Sequence, residues 1–261
     1  MDSVTLTLHR SRARIQLECP RELAAQTPLA RLQRFPALVQ WLDQLDRQTH
    51  GDPRVQISRI QIQSIDEFAP GQIGFVKFAA HATAQNTRIP GIVFLRGPSV
   101  AMLVVLRTQA DQPRTTSAHD RDFVLLTEQP RVAAPDFAAA ELPAGMLDAS
   151  SEFAGAAARE IREETGLVVA PAELIDLNPH HAGLFPSIGA CDERIRFYAC
   201  EKRVSEEQLD ALRGRLGGLR DHGELITLRL VRLCDLWKHT RDMKAVAALY
   251  LWDRWVQSQQ L

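Results

Sequence analysis

The segment Arg159-Glu160-Ile161-Arg162-Glu163-Glu164-Thr165-Gly166-Leu167 leaves this chain little conformational choice. A helix over about 153–165 is expected, because Gly166 stands where a left-handed helix stop belongs. Glu160 and Glu164 are four residues apart, so on a helix their Cβ atoms lie ~5–6 Å from each other on one face. Glu163 borders the same face. Like charges at this spacing destabilise a bare helix by ~0.2–0.5 kcal/mol per pair. A divalent cation reverses the sign of that interaction, and magnesium prefers one or two carboxylates together with waters and substrate phosphates. The competing reading is a solvated, salt-bridged face, for which Arg159 and Glu163 supply an ordinary i,i+4 pair. A helix built for surface pairing would place Lys or Arg four residues after Glu160, and this one places Glu164 there.

Strand patterns surround that helix. Val4 to Leu8 alternates with period two, and Val55 to Ile65 is β-branched and partly alternating. Gly74 to Ala80 and Gly91 to Leu95 are short apolar runs. Val100 to Leu106 and Phe123 to Thr127 read as a hairpin with a polar, mobile loop from Arg107 to Arg121. Further strands are expected at Val168-Val169, Ile195 to Cys200 and Leu225 to Arg232. Leucines and aromatics at steps of three and four from Leu29 to Leu45 predict one amphipathic helix over about 29–48, despite Pro36. Another helix closes the chain from Met243 to Val256, after a helical turn at Asp235 to Trp237. Gly214, Gly217 and Gly218 precede a strand rather than a helix, so they read as a turn and not as a phosphate loop. The boundary falls near residue 85, giving an N-terminal region 1–85 and a second domain 86–261.

Composition removes several function classes. Lys plus Arg number 31 against 32 Asp plus Glu, which gives no reason to expect a nucleic-acid surface. No apolar stretch approaches the ~20 residues of a membrane helix, and no signal peptide is expected from the start Met1-Asp2-Ser3. Cys19, Cys191, Cys200 and Cys234 show no zinc-ligand spacing and read as unpaired thiols in a reducing cytoplasm.

Gly145, Arg159, Glu160, Ile161, Glu163, Glu164, Gly166 and Leu167 fall at the offsets of the Nudix box: Gly, five residues, Glu, seven residues, Arg-Glu-apolar-any-Glu-Glu-any-Gly-apolar. The early Glu of the box would fall at Ser151, and Glu152 stands one residue later. The likeness runs on through Pro90 to Phe94, Arg96-Gly97-Pro98, Leu126 to Gln129, Glu141 to Asp148, Phe185-Pro186-Ser187, Gly189 to Glu193 and Leu219 to Glu224. With these segments the chain, over roughly 30–257, resembles the plant plastid-type ADP-sugar diphosphatases. In that subfamily the early Glu is also displaced or replaced.

The resemblance implies an α/β fold, a Nudix-type α/β/α sandwich with a mixed sheet, preceded by an N-terminal helix plus β region. It implies magnesium, with manganese as the alternative, and cleavage of ADP-glucose-like compounds to AMP and sugar 1-phosphate. It also implies a homodimer to which the N-terminal region contributes, and no nucleic-acid or membrane partner is expected. Glu160 and Glu164 are the expected metal ligands, and the Ala144 or Gly145 carbonyl completes the sphere by analogy. Glu163 is a third ligand or a base, and Arg159 orients the helix carboxylates. Glu224 is a base or ligand candidate against a solvated loop residue. Asp192 and Glu193 are a loop carboxylate pair facing the site or plain surface.

Arg131 corresponds to a phosphate-binding Arg, with a salt bridge to Glu128 as its alternative. Phe185 either stacks on adenine or, as the favoured reading, plugs the core. His180, His181 and His222 read as solvated loop residues, and Trp237, Trp252 and Trp255 as core or interface packing. ADP-ribose, a dinucleotide or another nucleoside diphosphate derivative is the alternative substrate. A catalytically silent nucleotide-sugar sensor is the alternative from another class, and the full set of three glutamates argues against it.

Overall fold

The computed structural model describes residues 1–52, 54–108, 121–147, 153–218 and 224–259. Ser151, Glu152 and His222, and most of the expected loop from Arg107 to Arg121, lie outside them. Contacts divide the chain into two compact units. One comprises Met1–Pro98 with Phe185–Arg194, the other Ser99–Leu184 with Ile195–Leu261.

The first unit begins with an antiparallel pair, β1 (Asp2–Thr7) and β2 (Arg14–Cys19). Three helices follow, α1 (Arg21–Gln26), α2 (Leu29–Leu32) and α3 (Pro36–Gly51). The chain then returns parallel to β2 as β3 (Val55–Ala69) and turns back as β4 (Gln72–Ala84). Two short strands, β5 (Thr87–Ile89) and β6 (Ile92–Leu95), pair with β4. Burial alternates along β2, so Ile15, Leu17 and Cys19 face a core shared with Leu32, Leu38, Ile60, Ile62 and Phe78. The single helix expected over 29–48 is two. Pro36 occupies the first turn of α3, where its missing N–H costs nothing, and it forces Phe35 into the extended region at ψ 119°.

The second unit is built on β7 (Ser99–Arg107) and β8 (Phe123–Arg131), which pair antiparallel as the hairpin reading expects. To these the chain adds β9 (Asp136–Glu141) beside β8 and β10 (Ala144–Met146) beside β7. Next come α4 (Phe153–Thr165), the two-residue β11 (Ile175–Asp176) and β12 (Ile195–Arg203), which lies parallel to β7. The unit closes with α5 (Glu206–Leu212), β13 (Leu216–Gly217), β14 (Ile226–Arg232), α6 (Leu236–His239) and α7 (Met243–Ser258). Among the described residues the sheet runs β11-β12-β7-β8-β14-β13, mixed in direction.

Side chains of β7 go alternately to two cores. Ala101, Leu103 and Val105 pack with Ala245, Ala248, Trp252 and Val256 of α7. Val100, Met102 and Val104 pack with Ala156, Ala157 and Ile161 of α4 and Leu209 and Leu212 of α5. Helices therefore cover both faces of the sheet, an α/β/α sandwich, and β7 is apolar at nearly every position because neither face meets water. Two sequence expectations need correction. Val168-Val169 forms no strand: Val169 drops into the α4 core, Val168 is exposed, and the edge of β12 is taken by β11. The turn expected around Gly214 is preceded by the unforeseen α5. Its signal is a capping box, in which Ser205 accepts the Gln208 N–H at 3.1 Å and Gln208 accepts the Ser205 N–H at 2.9 Å.

Candidate active site

Helix α4 packs through Ala156, Ala157 and Ile161, which fixes its rotation against the sheet. It ends where expected: Gly166 adopts φ +70° and its N–H bonds the Arg162 carbonyl at 2.9 Å. With that rotation Glu160 and Glu163 are half-buried and Glu164 is only 6% exposed. The carboxylate of Glu164 accepts the Ala144 N–H at 3.2 Å, which ties the last turn of α4 to β10. Gly145, the next residue of β10, lies directly against the Glu160 carboxylate, and a Cβ there would overlap it.

A second glycine pair closes the same corner. A Cβ on Gly217 of β13 would strike the Glu164 carbonyl, so the strand reaches the helix only as glycine. Gly218, at φ +80°, would bring a Cβ within 2.9 Å of the Glu224 carbonyl. Gly217 thus ends β13 and Gly218 follows it, and Glu224 is near enough to Glu164 for its charge to act there. Burial pushes the Glu164 carboxyl well above its usual range, and the negative charge of Glu160 pushes it further. The Ala144 N–H opposes that rise, Glu224 adds to it, and the positive charge of Arg131 opposes it. Glu160, Glu164, Glu224 and Arg131 thus belong to one electrostatic neighbourhood.

Arg131 does not pair with Glu128, which bonds Arg229 at 3.4 Å instead. Its guanidinium Nε and Nη2 both donate to Glu141. The β8–β9 ladder is irregular between Gln129 and Arg131, and Glu141 ends β9 just before β10. Glu141 also receives the Lys244 ammonium at 3.1 Å. Burial works against its charge, but the Arg131 hydrogen bond and the Lys244 cation outweigh burial and hold its carboxyl below the usual range. In the sequence Glu141 stands only as the first residue of a segment of family likeness, Glu141 to Asp148. An acid three residues before Ala144 gave no sign of a partner 103 residues further on.

Among the described residues, no three His, Cys, Asp or Glu side chains cluster closely enough to cage a metal by themselves. Magnesium does not require such a cage, since it keeps several waters and shares substrate phosphates. Glu160 and Glu164 fit that role: Glu164 is buried beside a second anion, and the Ala144 N–H and the Arg131 charge only partly offset the effect of burial and that anion. Ala144 adjoins both glutamates through its own N–H and through Gly145.

Glu193 and Phe185 belong to the first unit. Asp192 accepts the N–H groups of Arg96 at 2.7 Å and Gly97 at 3.1 Å, and Glu193 pairs with the Arg96 guanidinium at 3.4 Å. Both carboxylates thus brace the loop against Arg96-Gly97, so neither is plain surface. Phe185 is 46% exposed, which corrects the reading of it as a core plug. Trp252 is fully buried and stacks on Trp255 at 5.0 Å, whereas Trp237 is exposed.

A carboxylate helix seated on a mixed, two-faced sheet, with a glycine held against its first glutamate, defines a protein class. The NUDIX domain model matches residues 97–252, and the chain belongs to the Nudix hydrolase family. Its sequence is 35% identical over 223 residues to "Nudix hydrolase 14, chloroplastic" of Arabidopsis thaliana, covering 82% of this chain and 68% of that protein. Its fold is similar to a crystal structure of an "ADP compounds hydrolase", with a TM-score of 0.53 and 15% identity, over 79% of this chain and 96% of that one.

Proposed function

We propose that this Nudix hydrolase cleaves the diphosphate bond of an ADP-sugar, giving AMP and sugar 1-phosphate, with magnesium or manganese. The observation that carries the reading is the fit between Gly145 and Glu160 beside the buried Glu164. Glu160, Glu164 and the Ala144 carbonyl would hold the cation. When bound, that cation would neutralise phosphate oxygens and lower the pKa of a water. Glu224 or Glu163 accepts the proton of the attacking water. The water oxygen bonds one phosphorus while the bridging oxygen leaves on the other. Arg131 presents a planar fork of donors suited to a phosphate. Glu193 and Phe185 are proposed substrate contacts, Phe185 for its exposed ring.

The adenine nucleotide is favoured because the structural relative is described as hydrolysing ADP compounds and the chain resembles ADP-sugar diphosphatases. Region 1–85 is proposed to contribute to a homodimer, with 86–261 as the hydrolase domain. A cytoplasmic location fits four cysteines that form no disulfide. Among the described residues no helix is long and apolar enough to cross a membrane.

The test is incubation with magnesium and ADP-glucose, ADP-ribose, NADH or UDP-glucose, following release of AMP, UMP or phosphate. ADP-glucose is expected to be the best substrate. Preference for ADP-ribose would redirect the substrate while keeping the chemistry, and turnover of none would overturn the reading.

A further inference from the structure

We propose that Lys244 is a positioning residue that keeps Arg131 available to a phosphate by competing with it for Glu141. This rests on the reading of Arg131 as a phosphate-binding residue. Lys244 lies at the start of α7, and its Nζ reaches Glu141 Oε2 at 3.1 Å and Asp242 Oδ1 at 3.0 Å. Asp242 caps α7 by accepting the Lys244 N–H at 2.9 Å, and its other oxygen accepts the Leu142 N–H at 3.2 Å. The Thr240 hydroxyl donates to the Ala140 carbonyl. The start of α7 therefore grips the backbone on both sides of Glu141.

The oxygens of Glu141 are divided between the two cations. Arg131 Nε takes Oε1, whereas its Nη2 reaches Oε2 only at 3.4 Å, the oxygen that Lys244 holds. Arginine and a carboxylate otherwise favour two parallel hydrogen bonds, which neutralise the guanidinium and occupy its fork. Lys244 shares Oε2 with the second of these bonds, which is made only at 3.4 Å, and so weakens it. The Lys244 side chain is 18% exposed and that of Arg131 45%, so the buried cation is the brace and the exposed one meets solvent. Two carboxylates, Glu141 and Asp242, balance Arg131 and Lys244. Without Lys244, Glu141 takes both Nε and Nη2 fully, and an incoming phosphate meets a guanidinium already clamped.

The test compares wild type, Lys244→Met and Lys244→Arg in the full chain, using the best substrate of the panel above. Lys244→Met is expected to raise KM about tenfold, the equivalent of one charge-assisted hydrogen bond, with kcat within about twofold. Lys244→Arg restores KM towards wild type. In an Arg131→Ala background Lys244→Met changes KM no further, because the residue it positions is gone. Lys244→Gln takes the place of Lys244→Met if the latter fails to fold, and the same KM rise is expected. An unchanged KM, or an equal rise in both backgrounds, overturns the role of Lys244 while the hydrolase reading stands. A wild-type protein that turns over none of the panel removes the reading of Arg131 and this inference with it.

Discussion

Glu141 and Glu164 are both largely buried carboxylates of the second unit, and their acidities move in opposite directions. Glu141 lies between Arg131 and Lys244, and burial fails to raise its pKa because two cations face it. Glu164 lies beside Glu160 and near Glu224, so burial and like charge act together. Burial alone therefore does not set the direction of the shift; the sign of the neighbouring charge does. On the Glu141 side two cations face the carboxylate, whereas on the Glu164 side the neighbouring carboxylates add to the effect of burial.

The largest expected effect breaks the Glu164 side of the comparison. Glu164→Gln keeps shape and the Ala144 contact but removes a charge, and kcat should fall by about 10²–10⁴-fold. Its melting temperature without metal should equal or exceed that of wild type, because a buried anion is lost. Near-normal turnover of this variant would show that Glu164 holds no metal. Gly145→Ala pushes a methyl into the Glu160 carboxylate, and a displacement of about 1 Å there should cost on the order of 100-fold in kcat/KM. Wild-type kinetics for this variant would mean that Glu160 is free to move without consequence.

On the other side, Glu141→Gln leaves Lys244 and Arg131 facing a neutral amide and should cost about 2 kcal/mol in denaturant unfolding. The smallest effect is a pair of opposite pH slopes. The folded-state pKa of Glu141 is lowered, so its stabilisation is present above the unfolded pKa and is lost as pH falls through the folded one. That of Glu164 is raised, so the metal-free protein binds an extra proton between the two values and loses stability as pH rises through that window. Magnesium should remove the second slope and leave the first. Unfolding free energy measured against pH, with and without magnesium, reads both. Identical slopes for the two glutamine variants would erase the distinction between the carboxylates.

Much of the site was legible because its signals are local. The helix stop at Gly166, the i,i+4 glutamates and the β7–β8 hairpin depend on spacing within a few residues, and each stands where the spacing puts it. Errors arose where a local signal was overridden or its partner was remote. Pro36 split a periodic helix because backbone sterics outrank apolar spacing. Val168-Val169 had strand residues but no sheet edge to join, because β11 holds that edge of β12.

The sequence by itself determined which residue types stand ready on α4, and where that helix must end. Tertiary structure alone decided that Gly145 faces Glu160, that Gly217 lets β13 reach the Glu164 carbonyl, and that Arg131 is held by Glu141 rather than Glu128. The physical reason is distance along the chain. Helical and turn preferences act over a few residues, whereas the partner of a buried charge is chosen by whichever strands and helices packing brings alongside it.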